Sequence, residues 1–356
     1  MTQVAKVIPL HGGTNAQRRG GTNAQRRGGT SPTQRGGTDG PHRGASKPGS
    51  GHPAGRDVDP FDPPTQHTAA DGFLDDLRWS AIDQVTGTAE FVRRRLTGDY
   101  DVDDFGFDPH FTENVMMPVL RPLFDKWFRV EVRGIENIPA DGSALVVANH
   151  AGTLPIDALM TSVAVWDQAH RPLRMLAADL AFDMPVVGTV ARKAGHTLAC
   201  HPDAERLLRD DQVVAVFPEG YKGLGKPFRE RYKLQRFGRG GFVSAALKSH
   251  APIVPCSIVG SEEIYPNIAD LTSLARVLGL PYLPVTPLFP ALGPLGLVPL
   301  PSKWYIEFGT PIPTDMYEES AADDPMVLFE VTDHVRETIQ QTLYKLLTRR
   351  RNVFLG

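Results

Sequence analysis

The sequence predicts an α/β fold: a mixed, largely parallel sheet flanked by helices, with a disordered N-terminal tail and an N-terminal helical arm. Short apolar runs of strand length alternate with stretches of helical periodicity from about residue 130 onward, which is typical of parallel connections. Two of these runs, 144–148 and 213–217, end directly in polar turns. With 356 residues and 41% hydrophobic content, the chain can bury a sizeable core.

Residues 1–70 are predicted to form a disordered, basic, Gly/Arg-rich tail. Residues 12–19 and 20–27 are identical GGTNAQRR octads, and two degenerate copies follow. The octads contain almost nothing apolar to bury, which favours disorder. Residues 1–55 carry eight Lys/Arg against one Asp, which suits a solvated linker or weak binding to anionic lipid or to nucleic acid. The solvated linker is favoured, so nucleic acid is not expected as a partner. No secretory signal is expected, because Lys6 precedes only a brief apolar stretch.

Residues 71–128 are predicted to form the helical arm. Apolar residues recur at three- and four-residue steps over 73–96, which predicts a helix. The segment 111–128 is apolar but contains Pro118 and Pro122, so we expect a kinked helix. Its broad apolar face fits packing in the core or contact with a membrane interface, and the sequence leaves both open.

The domain predicted over 129–320 contains the sheet, and a final helix is predicted within 321–356. The expected strands are 130–133, 144–148, 174–180, 196–200, 213–217, 252–259 and 304–309, and the expected helices are 156–166, 184–194, 203–209, 240–249 and 326–347. Residues 277–302 contain seven prolines and no charged residue, so they cannot form a regular membrane-spanning helix. We expect an apolar, irregular insertion that docks on the membrane, covers an acyl-chain site or packs on the protein.

The run 144–148 delivers Asn149 and His150 to the end of a strand, and Asp157 follows in the first turn of the next helix. A carboxylate on one imidazole nitrogen fixes the tautomer and leaves the other nitrogen free to take a proton from a hydroxyl. This spacing therefore predicts a general base and its orienting partner. The alternative is a strand-end His beside a helix-start Asp with only local hydrogen bonds.

A second polar turn follows the strand 213–217 and consists of Phe217, Pro218, Glu219 and Gly220. A third motif, Ala-Pro-Ile-Val-Pro, occupies 251–255. In order and spacing, the three motifs resemble those of the glycerolipid acyltransferase family, the lysophosphatidate acyltransferases and their relatives, over roughly 125–315. Residues from 240 onward also resemble diacylglycerol acyltransferases.

The sequence departs from the family pattern at two places. The usual Asp lies five positions after the His, where this chain has Pro155, and Asp157 lies two positions further on. The family's second motif places an Arg after a core strand, whereas residues 197–202 contain none, which puts a lysophosphatidate acceptor in question. His201, Arg192, Arg206 or the basic loop described below could replace it.

The resemblance implies acyl transfer from acyl-CoA or acyl carrier protein to a hydroxyl of a (lyso)glycerolipid such as 1-acylglycerol-3-phosphate, with mono- or diacylglycerol as the alternative acceptor. It implies that His150 is the base, that Asp157 orients it, and that Asn149, Gly152 and the turn 217–220 contact the substrate. We expect a monotopic or peripheral protein on the cytoplasmic face of the cell membrane. No cofactor is expected, since acyl-CoA is a co-substrate.

The loop 221–239 contains seven cations opposed by a single Glu. We expect it to hold the phosphate of the acceptor or of coenzyme A, and a solvated charged surface is the alternative. The four cations closest to the turn are the predicted ligands: Lys222, Lys226, Arg229 and Arg231.

Other classes of function fit less well. Two cysteines provide no disulfide framework, no His/Cys cluster has zinc spacing, and no metal is expected. A lipid hydrolase would need a nucleophile, and no Ser lies in a Gly-x-Ser-x-Gly turn. A non-catalytic lipid- or RNA-binding protein would have no need of His150 and Glu219 in register.

Overall fold

The structure is a computed structural model that describes residues 91–98, 100–238, 240–277, 279 and 281–355. The predicted tail and most of the predicted helix 73–96 lie outside these residues. Of that helix, the structure describes residues 91–97, which are helical.

A seven-stranded sheet forms the centre of the part of the chain that the structure describes. Its strands are β1 (Glu131–Arg133), β2 (Ala144–Ala148), β3 (Leu173–Ala177), β4 (Thr197–Leu198), β5 (Val213–Val216), β6 (Ile253–Val259) and β9 (Tyr305–Phe308). They lie in the order β1-β9-β6-β2-β5-β3-β4. Every neighbouring pair is parallel except β6 with β9. The predicted α/β class with a mixed, largely parallel sheet is therefore confirmed.

Helices cover both faces of the sheet, which is why the central strands β2 and β6 are apolar and buried throughout. The helices after the arm are α2 (Ile156–Gln168), α3 (Asp179–Asp183), α4 (Val187–Lys193), α5 (His201–Arg209), α6 (Tyr221–Leu224), α7 (Gly241–Lys248), α8 (Thr272–Val277) and α9 (Pro325–Arg349). The core on one face packs residues of α2 and of the arm against the sheet. The core on the other face contains residues of α5, α7 and α9.

The arm helix α1 is one continuous helical segment made of Pro109–Phe111, Thr112–Met116, Met117–Pro122 and Leu123–Trp127. Its second and fourth parts have the wide π geometry, in keeping with the irregular helix that the prolines predict. Met117, Leu120 and Phe124 are buried in the core, whereas Val119 is exposed. Core packing therefore accounts for most of the apolar face of this helix.

Several predicted boundaries are corrected. The predicted strand 174–180 ends at Ala177, because the chain turns at Ala178 into α3, with Asp179 in the first turn of the helix. The loop 221–239 begins with α6 and contains a 3₁₀ turn at Phe228–Glu230. The final helix, predicted over 326–347, runs from Pro325 to Arg349, and the Asp324 side chain accepts a hydrogen bond from the Met326 N–H at its start.

The insertion 277–302 is largely irregular, as predicted. Its described regular parts are β8 (Pro284–Val285), which pairs with β7 (Ala269–Asp270), and a 3₁₀ turn at Gly293–Leu297. Val277 is 83% exposed and Leu295 is 70% exposed. Among the described residues, no helix has the length and apolar character needed to cross a membrane.

Candidate active site

The His150–Asp157 pair lies at the carboxyl end of β2, the edge of an open α/β sheet where ligands bind. The imidazole Nδ1 lies 2.8 Å from Asp157 Oδ2. Since a carboxylate only accepts, Nδ1 carries the proton and Nε2 is left to accept one. The Asp157 carboxylate is itself held by the Ala151 and Ala158 N–H groups, each at 2.8 Å, so its orientation is fixed before any substrate binds.

Glu219, after β5, holds the backbone of His150 in place. Its Oε1 accepts from the His150 N–H at 2.9 Å, and its Oε2 accepts from the Gln235 N–H at 2.6 Å. The Phe217 ring lies 4.5 Å from the imidazole, centroid to centroid. The two polar turns predicted from the sequence therefore lie in contact. The turn that contains Glu219 positions the histidine of the turn that begins at Asn149.

Two glycines allow the close approach of backbones around His150. A Cβ at Gly223, in α6, would lie 2.5 Å from the His150 carbonyl oxygen. A Cβ at Gly152 would lie 2.6 Å from the Ser261 carbonyl oxygen, and Gly152 also has a φ of +95°, which favours glycine. Any side chain at these positions would push the loops around the histidine apart.

A base oriented by a buried carboxylate, at the edge of a sheet where ligands bind, can activate a hydroxyl for attack on a carbonyl. The Acyltransferase family model matches residues 129–259, which contain both polar turns. An uncharacterized protein of Mycobacterium tuberculosis is 68% identical over 274 residues, which cover 76% of this chain and 76% of that protein. The chain belongs to the glycerolipid acyltransferase family.

More distant similarities are to proteins whose names refer to different lipids. The human "DGAT1/2-independent enzyme synthesizing storage lipids" is 28% identical over 193 residues, 53% of this chain and 55% of that protein. The crystal structure of the 1-acyl-sn-glycerophosphate (LPA) acyltransferase PlsC from Thermotoga maritima has a TM-score of 0.47 and 18% identity. The structural match covers 77% of this chain and 93% of the PlsC chain.

Two of the predicted substrate contacts of this acyltransferase are corrected by the structure. Asn149 is fully buried, and its side chain exchanges hydrogen bonds with the backbone of Ile258 at 2.7 and 3.0 Å, so it ties β2 to β6. Lys226 is 1% exposed and lies 2.9 Å from Glu262 and 3.6 Å from Glu219. Both side chains are engaged by the protein, and neither is free for a substrate.

The remaining predicted cations lie on the surface. Lys222 is exposed in α6, two residues after Gly220. Arg229 is exposed beside Glu230, with 3.8 Å between their charged atoms. Arg231 is exposed and its guanidinium lies over the Phe228 ring at 4.5 Å. The turn residues Pro218 and Gly220 are half-buried. Gly220 has φ 54° and ψ −142°, a backbone conformation that is energetically unfavourable for residues other than glycine.

The residues that could replace the missing family Arg differ in how far the protein already engages their side chains. Arg206 pairs with Asp104, and His201 packs so closely on α7 that a Cβ at Gly241 would lie 2.4 Å from its Nε2. Arg192 is exposed, with its guanidinium 4.8 Å from the Phe182 ring centroid. Arg192 and the exposed cations of the basic loop are therefore the candidates that remain.

Neither cysteine has the features of a nucleophile. Burial raises the pKa of the Cys256 thiol and also, more weakly, the pKa of Cys200. Both thiols are therefore protonated near neutral pH. Among the described residues, no group of His, Cys, Asp and Glu could hold a metal ion.

The sequence did not reveal two residues that surround the site, and it predicts another role for a third. Lys226 is predicted to bind a phosphate, whereas its ammonium joins Glu219 to Glu262 in the interior. The Tyr282 hydroxyl, from the insertion, donates to the Thr153 carbonyl beside the histidine turn. The other unpredicted residue is Gly223, whose Cα lies close to the His150 carbonyl. No local pattern marks these contacts, because each joins segments that are distant in sequence or depends on burial.

Proposed function

We propose that this protein transfers a fatty acyl group from acyl-CoA, or from acyl carrier protein, to a hydroxyl of a glycerolipid. The observation that carries the proposal is the 2.8 Å contact between His150 Nδ1 and the buried Asp157 carboxylate, next to the turn that contains Glu219. Family membership supports the type of reaction. The donor and the acceptor are inferred from the chemistry of the residues around the site.

In the proposed reaction, His150 Nε2 takes the proton of the acceptor hydroxyl while its oxygen attacks the thioester carbonyl carbon. The Asp157 carboxylate stabilises the imidazolium that forms. The tetrahedral intermediate then collapses, the C–S bond breaks, and the leaving thiolate takes the proton from His150. The products are an ester and a free thiol. No enzyme nucleophile is required, in keeping with the protonated state of Cys200 and Cys256.

The developing oxyanion needs hydrogen-bond donors. Our candidate in the turn after the histidine is the Gly152 N–H, since the Thr153 and Leu154 N–H groups already donate to the Leu224 and Gly152 carbonyls. Gly152 packs under the Ser261 carbonyl, which fixes the position of the turn in advance. Such preorganised donors stabilise the transition state without a reorganisation cost.

We propose a phosphorylated acceptor, 1-acylglycerol-3-phosphate or a related lysophospholipid, which would place the enzyme in phospholipid biosynthesis. The exposed cations Lys222 and Arg229 support this choice, because Lys222 lies in the helix that follows the Glu219 turn. Charge-assisted hydrogen bonds from such groups to a phosphate contribute about 1.5–3 kcal/mol each.

A neutral acceptor, a mono- or diacylglycerol, is the second candidate. The absence of an Arg at residues 197–202 favours it, and so does the similarity to the human storage-lipid enzyme. The two candidates differ in whether the basic residues after the turn contact the acceptor at all.

We further propose that the protein is monotopic or peripheral and lies on the cytoplasmic face of the cell membrane. Exposed apolar side chains of the insertion, including Val277 and Leu295, support this. The Trp127 indole donates to the Pro299 carbonyl at 3.0 Å, which joins the end of α1 to the insertion. Alkaline carbonate should release the protein, at least in part, from isolated membranes. Retention under every treatment short of detergent, or a protein found wholly in the soluble fraction, would contradict this proposal.

The proposed reaction is tested by mass spectrometry of the products formed by the purified chain. The panel should contain lysophosphatidate, other lysophospholipids, monoacylglycerol and diacylglycerol, each with long-chain acyl-CoA as donor. Phosphatidate as the main product supports the phosphorylated acceptor, and triacylglycerol or diacylglycerol supports the neutral one. Hydrolysis of acyl-CoA without transfer to any acceptor would contradict the proposal.

A further inference from the structure

A cavity of about 450 Å³ opens between the basic loop and the end of α9. Its lining includes four cations and two tyrosines: Arg231, Lys233, Arg350, Arg351, Tyr232 and Tyr344. The carboxylate in this lining, Glu263, is already engaged by Arg350 at 3.0 Å and by the Tyr232 hydroxyl. With four cations and one carboxylate, the side chains that line the cavity have a net positive charge.

The protein fixes part of this cavity rigidly. The Arg350 side chain is 4% exposed, and its guanidinium donates to Glu263 and to the Lys303 and Val353 carbonyls. Its Nε is buried and has no hydrogen-bond partner among the described residues. Buried donors without partners are rare in folded proteins, and this one belongs to a side chain that lines the cavity.

The other cations are available to a ligand. Lys233 and Arg351 are exposed, and neither forms an ion pair with any residue that the structure describes. Guanidinium groups match phosphate oxygens in bidentate geometry, and Lys adds a point charge. The chemistry of this lining is therefore that of a phosphate-binding site.

The cavity is connected to the candidate active site but is separate from it. The Tyr232 N–H donates to Glu262, Glu262 pairs with Lys226, and Lys226 pairs with Glu219. Glu219 in turn holds the backbone of His150. Three successive contacts thus link Tyr232, in the cavity lining, to Glu219 beside the histidine.

We infer that this cavity binds the phosphates of the coenzyme A nucleotide. The identity of the ligand rests on the proposed acyl transfer. In a phosphorylated glycerolipid the phosphate lies only a few bonds from the reacting hydroxyl, so it must bind close to His150. In coenzyme A, the diphosphate and the 3′-phosphate are joined to the thioester by the long pantetheine arm. Of the two proposed substrates, the donor is therefore the one whose phosphates fit a cavity separate from the histidine.

The inference is tested by calorimetric titration of coenzyme A into the full chain. The cavity variant is Lys233→Gln with Arg351→Gln. The matched control is Lys345→Gln with Arg349→Gln, which removes the same charge from exposed positions on α9 that do not line the cavity. We expect coenzyme A to bind the cavity variant at least about tenfold more weakly and the control within about twofold of the wild type. Pantetheine, which lacks the nucleotide, should bind all three proteins alike.

Equal affinity of the cavity variant and the wild type for coenzyme A overturns the inference. Weaker binding of the cavity variant to phosphatidylglycerol vesicles, without a change for coenzyme A, also overturns it in favour of a lipid headgroup. If the wild type transfers an acyl group and the cavity variant has the same KM for acyl-CoA as the wild type, the cavity inference fails while the proposed function stands. If the wild type transfers no acyl group but binds coenzyme A through Lys233 and Arg351, the proposed function fails while the cavity inference stands.

Discussion

A methyl group added at Gly223 tests how closely α6 must approach the candidate base. The new Cβ would lie 2.5 Å from the His150 carbonyl oxygen and 2.8 Å from Glu219 Cβ, whereas ordinary contacts begin at 3.4 Å. The nearest of these atoms belongs to the backbone, so the strand end and the helix must separate by about 1 Å. Misplacement of a catalytic group by about 1 Å can reduce the rate about 10²-fold, equivalent to about 2.7 kcal/mol.

We therefore expect kcat/KM of Gly223→Ala to fall about 10²-fold in a continuous assay of thiol release from acyl-CoA. The matched control is Gly238→Ala, in the same loop, where a Cβ would meet no atom within 4 Å. The control should keep wild-type activity, and thermal melts should show that both variants fold. Activity of Gly223→Ala within about threefold of the wild type would refute the claim that this contact sets the position of His150.

Three further perturbations test neighbouring parts of the site. Asp157→Asn should lower kcat at least about 10²-fold with unchanged circular dichroism, because the His150 tautomer is no longer fixed; a smaller loss would contradict the orienting role. Burial raises the pKa of Glu262 to about 7, so between pH 4.5 and 7 the folded protein holds a proton that the unfolded chain releases. The free energy of unfolding should therefore fall as pH rises through this range, by up to about 3 kcal/mol, and urea titrations of Glu262→Gln should lack this change. Lys222→Gln with Arg229→Gln should raise the KM for lysophosphatidate far more than the KM for acyl-CoA, and an unchanged KM for lysophosphatidate would contradict a phosphate contact by this loop.

Much of the sheet could be predicted from the sequence because its strands are short, apolar and bounded by polar turns. The run 144–148 matches β2, and the predicted strand 213–217 differs from β5 by one residue. Both strands lie in the interior, so their residue types reflect burial alone. The antiparallel pairing of β9 with β6 could not be predicted, because it depends on how the chain returns after the insertion.

The central pair of the candidate site could also be predicted, because His150 and Asp157 lie only seven residues apart at a strand end and a helix start. Contacts between segments that are distant in sequence could not be predicted. The basic run 221–239 gave no indication that Lys226 points inward to Glu219 and Glu262, whereas Lys222 and Arg229 point to solvent. Charge along a sequence does not reveal burial, and burial decides whether a cation holds the protein together or is free for a ligand.

The central claim is that His150 is the general base of an acyl transfer. The most direct measurement is the rate at which purified His150→Ala forms esterified product from long-chain acyl-CoA and the acceptor that the wild type uses. His334→Ala, at an exposed position of α9, serves as the control for removal of a histidine. The account predicts a loss of about 10²–10⁴-fold for His150→Ala, with a native circular dichroism spectrum, and no loss for the control. Wild-type rates from a folded His150→Ala protein would contradict it.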